Sequence, residues 1–553
     1  MATANFHPPN HEEKPALPTH RHPYRSLAVA AFAAVTLAAC SGGNTPTSTA
    51  AASQDAGPPQ SGGTLRVNSL YDTKVLDPQV NPSYETLNTV KFVYSKLMAY
   101  KTGPDVPYGT DELVGDLAES WEANEDATVW TVHLRKGVTW QNIAPVNGRE
   151  FTAKDVLCTT DRITSLPAAQ QSLLAYVSEI AAPDDYTLTF TLSQPYVAFD
   201  ENLAAPSMLI LPCEGTDGTF DLKAKAIGTG PFMLENWTPG DKQRVFTKNP
   251  DYYEAGKPYL DSVTQTYVLD PQALISAARS GQFDLVYEND PAVIDTIVKA
   301  NPTWSTKEEG GLEQARVFLN ATREPFTDAR VRRAISLAID KQGMIKAVSP
   351  GTSLTGPVAP TIADGLSTEQ VDKLTPYDPD EAKALLAEAG QTSFSTKILV
   401  NTAYGEANLR RAQWVQQDLA AVGITSEIVE QDQATYIGAW TSKDYDMVVG
   451  AMAGALTADL ALSTEWTSTG ARNYTGINDP KLDEMITAQR SIADPTERKA
   501  ALEDIQSYIL TDVADPIPLH NFVAFWGVSD KVQNYYPHPD FSFLYYKDIW
   551  LKQ

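Results

Sequence analysis

The chain has 553 residues, with 43 Lys and Arg against 69 Asp and Glu and a formal net charge of −26. That length implies about three domains or two large lobes, and 42 % hydrophobic with 20 % charged residues excludes a disordered chain. The acidic balance excludes a nucleic-acid binder and a basic lipid-adhering face, because both need clustered Lys and Arg.

The N-terminal segment reads as an address. A polar stretch ending in Arg21, His22 and Arg25 precedes the uncharged apolar run Leu27–Ala39. That run is too short to cross about 30 Å of hydrocarbon as a helix and fits the core of a signal peptide. It closes on Leu37-Ala38-Ala39-Cys40, and small residues before a cysteine resemble the bacterial lipobox, so Cys40 is the expected lipidation site. Residues 1–39 are then a lipoprotein signal peptide. Residues 40–60, rich in Ser, Thr, Ala, Gly and Pro, are a flexible tether. The leader contains Lys14, Arg21 and Arg25 against Glu12 and Glu13, so its removal hardly changes the acidity.

Strand and helix signals follow in order. Alternation predicts strands at Thr64–Asn68, Val129–Leu134 and Tyr186–Leu192. A helix is expected over Ala153–Ile163. Another follows Thr327, with Val331, Ala334, Ile335, Ala338 and Ile339 forming one buried stripe. Asp378-Pro379-Asp380-Glu381 offers an N-cap, a proline at the first helical position and an acid in the first turn, and Gly390 stops that helix. Leu409–Val422 is a further amphipathic helix, ended by Gly423 and followed by a strand at Ile424–Val429. This alternation argues an α/β architecture.

With Cys40 lipidated, Cys158 and Cys213 remain, and either a disulfide or two buried thiols accounts for them. The histidines outside the leader are scattered, so no metal site is expected. Gly228-Thr-Gly-Pro lacks the third glycine of a dinucleotide loop, and neither a phosphate loop nor a nucleophile elbow occurs. No positive case exists for an enzyme or a cofactor.

Several segments in register resemble family 5 extracytoplasmic solute-binding proteins, the peptide-, dipeptide- and nickel-type receptors of ABC importers. They include Leu76-Asp-Pro78, Leu117-Ala-Glu-Ser-Trp-Glu122, His133-Leu-Arg-Lys-Gly137, Phe151-Thr-Ala-Lys-Asp-Val156 and Gly228-Thr-Gly-Pro-Phe232. Asn249-Pro-Asp-Tyr-Tyr253, Pro325–Ile335, Ala338-Ile-Asp340, Tyr377–Leu386 and Asn473-Tyr-Thr-Gly476 continue the series.

The resemblance implies an α/β, two-lobed periplasmic-binding-protein-like (Venus-flytrap) fold with an extra subdomain inserted in lobe I. Lobe I would comprise 61–103, the inserted subdomain 104–219, and 220–311. Lobe II would span 312–517, and 518–553 would return to lobe I. Gly310-Gly311 is the expected first crossing and Ala514–Leu519 the second.

By the same resemblance the ligand cleft should include Ser83 and Tyr84. It should also include the loop Gly450–Ala455, where peptide-binding members usually carry a Trp and then an Asp that pairs with the ligand ammonium. Here those positions read Met452 and Ala455, and the next acid, Asp459, is the alternative anchor. Trp440, Trp466, Tyr474 and Trp526 are aromatic candidates, and Arg472 is a candidate carboxylate partner.

The function so implied is a monomeric, lipid-anchored receptor on the outer face of the cell membrane. It would capture oligopeptides and deliver them to ABC permease subunits with their ATPases, without a cofactor. The alternatives are a receptor for an oligosaccharide, opine or metal chelate, or a secreted peptide chaperone or enzyme.

Overall fold

The structure, a computed structural model, describes residues 57–553 except 71, 167–168 and 541–544. The signal peptide, Cys40 and most of the tether therefore lie outside the described residues.

A ten-stranded sheet runs through both lobes. Its order is Ile424–Gln431, Phe394–Asn401, Met447–Met452, Ser305–Leu319, Ile517–Val528, Leu285–Glu288, Thr64–Ser69, Ser262–Tyr267, Gln243–Lys248 and Phe232–Leu234. The two long central strands, Ser305–Leu319 and Ile517–Val528, pair antiparallel and carry the chain from one lobe to the other. The later half of the first strand, Gln314–Leu319, pairs with Met447–Met452 of lobe II. The later half of the second, Phe525–Val528, pairs with Leu285–Glu288 of lobe I.

Side-chain burial follows this division. Ala315, Val317, Leu319, Ile517 and Leu519 enter the lobe II core with Val331, Ile335 and Val449. Trp526 and Val528 enter the lobe I core with Leu65, Phe92 and Val263. The ladder slips between Gly310 and Gln314, so the crossing is a bulge opposite Phe522. Gly311 packs closely there: a Cβ on it would lie 3.0 Å from the Phe522 carbonyl oxygen, a tight contact that favours glycine. The partner strand faces this bulge at Asn521–Val523, a few residues beyond Ala514–Leu519. Those earlier residues instead end a helical turn on a left-handed Ala514 and then start the strand, whose Ile517 and Leu519 enter the lobe II core.

The inserted subdomain has its own sheet, Ala118–Ala123, Val129–Leu134, Thr187–Leu192 and Val177–Asp184, with its own core around Trp130, Trp140, Phe151 and Phe190. The threonine-rich strand alternates as expected, burying Leu188, Phe190 and Leu192. Cys158, on the helix Ala153–Ser165, is joined to Cys213 by a disulfide with Cα atoms 5.4 Å apart. The helix Pro379–Glu388 starts as its sequence requires, with the Asp378 side chain accepting from the Glu381 N–H at 3.0 Å. No helix of the described residues is long and apolar enough to cross a membrane.

Candidate functional site

The site is built on the short helix Tyr84–Val90. Thr86, Leu87, Thr89 and Val90 face the core, and the Thr86 hydroxyl donates to the Val75 carbonyl at 2.8 Å. Tyr84, Asn88 and Lys91 stand four and then three residues apart, on the opposite face. The chain leaving the helix is gripped by the glycine pair noted above: the Gly230 N–H donates to the Val93 carbonyl at 2.8 Å. A Cβ on Gly228 would collide with that same carbonyl. The Gly-Thr-Gly-Pro segment is therefore a close backbone approach that fixes the end of the site helix.

Beside the crossing strands lies a cavity of about 110 Å³. Tyr84, Asn88 and Lys91 form one wall, Glu313 comes from the first crossing strand, and Phe522 and Trp526 come from the second. Trp526 stacks at a tilt against Tyr287, with ring centroids 5.5 Å apart, and both rings line the cavity.

Glu313 sits in the crossing bulge with its side chain open to the cavity. Among the described residues no cation lies within ion-pair range of it. Surrounding protein displaces water and raises its pKa, while Arg411 pulls the other way. Arg411 is itself buried, lies over the Phe522 ring at 5.3 Å, and is lowered to about 10 by burial against the pull of Glu313. Tyr84 feels the same acid: burial, and then Glu313, push its phenol up to about 12, with Arg472 opposing.

Of the residues expected in the cleft, the cavity wall contains Tyr84 and Trp526. Ser83 precedes the site helix in an extended conformation, and its buried hydroxyl makes no capping bond. The others lie elsewhere. Met452 ends its strand in a core shared with Phe318, Tyr436 and Trp440, and Tyr474 packs on that core with its ring 4.8 Å from Trp440. Trp466 is fully buried and donates to the Asp515 carbonyl at 3.1 Å. Ala455 packs against the second lobe II core. Arg472 is held by the Ala453 carbonyl and by Glu465 at 3.3 Å.

Asp459 is the clearest correction. It is 1 % exposed, its carboxylate takes two bonds from Arg490 at 2.8 and 2.9 Å, and Gln489 donates to it as well. Tyr196 of the inserted subdomain adds a hydroxyl bond at 2.5 Å. With its acceptor sites taken by protein donors, Asp459 staples the inserted subdomain to lobe II rather than meeting a ligand.

Glu313 and Lys91 were missed in the sequence. The only available signals were an acid just after the glycine crossing, and polar residues repeating at helical spacing on a helix whose other face is apolar. Among the described residues no cluster of His, Cys, Asp and Glu could hold a metal ion.

Residues 112–474 match the family model of bacterial extracellular solute-binding proteins, family 5. The chain belongs to this family. It is 28 % identical over 470 residues to di/tripeptide-binding protein 2 of Pseudomonas aeruginosa (strain UCBPP-PA14), covering 78 % of this chain and 86 % of that protein. In three dimensions it is similar to the ABC transporter-associated periplasmic binding protein DppA from Helicobacter pylori in complex with peptide STSA. That match has a TM-score of 0.74 and 25 % identity, over 89 % of this chain and 99 % of the other. It is also similar to the binding protein AgaA from A.tumefacien R10 in complex with agropinic acid, with a TM-score of 0.74 and 26 % identity over the same shares. Solute-binding proteins of ABC importers are thus the company this fold keeps.

Proposed function

We propose that the protein is an extracytoplasmic receptor that captures oligopeptides in the cavity beside the crossing strands and passes them to an ABC permease. It acts by binding and lobe closure, without turnover, and is held to the outer face of the membrane by lipid on Cys40. The observation that carries the peptide reading is Glu313. A carboxylate open to the cavity, with no cation of the described residues in ion-pair range, suits a ligand ammonium. It supplies from the crossing strand the charge that Ala455 cannot supply from the loop. The peptide-binding relatives support the same reading.

A second reading, an opine-type amino acid conjugate, draws support from the equally good match to the agropinic acid complex. Calorimetry with tri- to pentapeptides, each with a free and an acetylated N-terminus, separates the two. Saturable binding of the free forms near the micromolar range, about −8 kcal/mol, is the expected result. Absence of heat with every peptide would overturn the peptide reading.

A further inference from the structure

We propose that Lys91 is the anion anchor of this cavity, its ammonium receiving a carboxylate of the ligand. This rests on reading the cavity as the solute site.

Lys91 follows the site helix directly, lines the cavity and is 4 % exposed. Its ammonium lies 4.7 Å from the centre of the Tyr546 ring and 5.3 Å from that of Phe92. Among the described residues this ammonium makes no ion pair and no hydrogen bond. The other buried lysines behave differently. Lys96 meets Asp540 at 3.2 Å and the Ala204 carbonyl at 2.8 Å. Lys341 donates to the Ser336 carbonyl at 2.7 Å, and Lys547 is bound to Glu254. Among the described residues, the protein therefore supplies an oxygen to each buried ammonium except the one on the cavity wall.

Asp540, the acid whose field reaches Lys91, is already held by Lys96 and by His538 at 2.9 Å. Burial lowers the Lys91 pKa to about 7 against that field. Aromatic faces offset only part of the cost of a buried ammonium, and a ligand carboxylate would offset much of the rest. With Glu313 as the acid of the same cavity, the matching solute carries one group of each sign.

The test compares the molecules carried out of the cell by the wild-type protein with those carried by Lys91→Met and Lys91→Arg. Released molecules are separated by charge and weighed by mass spectrometry. Lys91→Met should carry at least about tenfold less of an anionic pool, the scale of a charged hydrogen bond, and Lys91→Arg should retain it. An equal pool in all three proteins, or a pool without an anionic group, overturns the proposal. An anionic, Lys91-dependent pool containing no peptide keeps the anchor and overturns the peptide reading; a peptide pool indifferent to residue 91 does the reverse.

If the wild type carries nothing, it is titrated with trialanine and with sodium acetate. Saturation by either that is lost in Lys91→Met supports the anchor, and saturation by neither overturns it. Should Lys91→Met fail to fold, wild-type binding of trialanine is compared with that of its C-terminal amide. A tenfold preference for the free acid supports the proposal, and equal binding overturns it.

Discussion

Arg490 grips Asp459 with two hydrogen bonds, Nε to Oδ1 at 2.8 Å and Nη2 to Oδ2 at 2.9 Å, and both side chains are buried. Tyr196 completes the arrangement from the inserted subdomain, and the Val197 N–H donates to the Arg490 carbonyl at 3.0 Å. Removing one partner of such a pair leaves the other charge buried and unmatched. Asp459→Ala should therefore destabilise the protein by about 3–5 kcal/mol, read by chemical denaturation. The ratio of affinities for free and N-acetylated peptides should not change, since this carboxylate is spent on the protein. A selective loss of the free-ammonium peptides would restore Asp459 as a ligand anchor.

Glu313→Gln keeps the shape of the crossing bulge and removes its charge. Hydrogen bonds to charged groups contribute about 1.5–3 kcal/mol. Affinity for peptides with a free N-terminus should thus fall roughly tenfold to a hundredfold, while acetylated peptides change little. Calorimetry on the matched pair reads this directly, and equal losses for both would contradict the assignment.

Lys91→Met should stabilise the protein in a pH-dependent way. The folded-state pKa is about 7 against an ordinary 10.5, so the unfolded chain binds the extra proton between those values. The cost of burying Lys91 is fully present below pH 7 and fades as pH rises toward 10.5. The variant should gain on the order of 1–3 kcal/mol at pH 6 and much less at pH 10, by urea denaturation. The other titratable groups around this wall are Asp540 with Lys96 and His538, the phenols of Tyr84, Tyr108, Tyr287, Tyr535 and Tyr546, and Glu313. Because they remain in the variant, the difference between the two pH profiles isolates Lys91.

The Cys158–Cys213 disulfide closes a loop over a sequence separation of 55. Chain-entropy arguments put its stabilisation at about 4 kcal/mol, and observed values are often smaller. Paired Cys158→Ser and Cys213→Ser substitutions should lower stability by roughly 2–4 kcal/mol. The inserted subdomain should open first, as followed by hydrogen exchange of the strands Val129–Leu134 and Thr187–Leu192. Loss confined to lobe II would contradict this.

Local order was legible where local chemistry decides it. The alternation of Val129–Leu134 and Thr187–Leu192 fits two strands that pair with each other, and the Asp378 cap begins its helix. The Gly310-Gly311 pair falls where the central ladder slips, with Gly311 packed closely against the Phe522 carbonyl. The residues facing that bulge, Asn521–Val523, carry no such local mark: their strand begins at Ile517 and meets the bulge several residues later.

The site was less legible, for a physical reason. Tyr84 and Trp526 could be named from the resemblance, which placed the segment after Leu76-Asp-Pro78 and the C-terminal return near the cleft. Lys91 and Asp459 look alike in sequence, as single charges on helices. What separates them is distant: Arg490 and Tyr196 satisfy the acid, and nothing among the described residues satisfies the lysine. Partner count is a tertiary property, and periodicity does not contain it.

The most direct test of the central claim is mass spectrometry of the molecule released by denaturing the protein after export in its own cell envelope. The account predicts short peptides with a free N-terminus and a free carboxylate, bound near one per chain. A haem, sugar or opine at that stoichiometry, with no peptide in the released fraction, would contradict it.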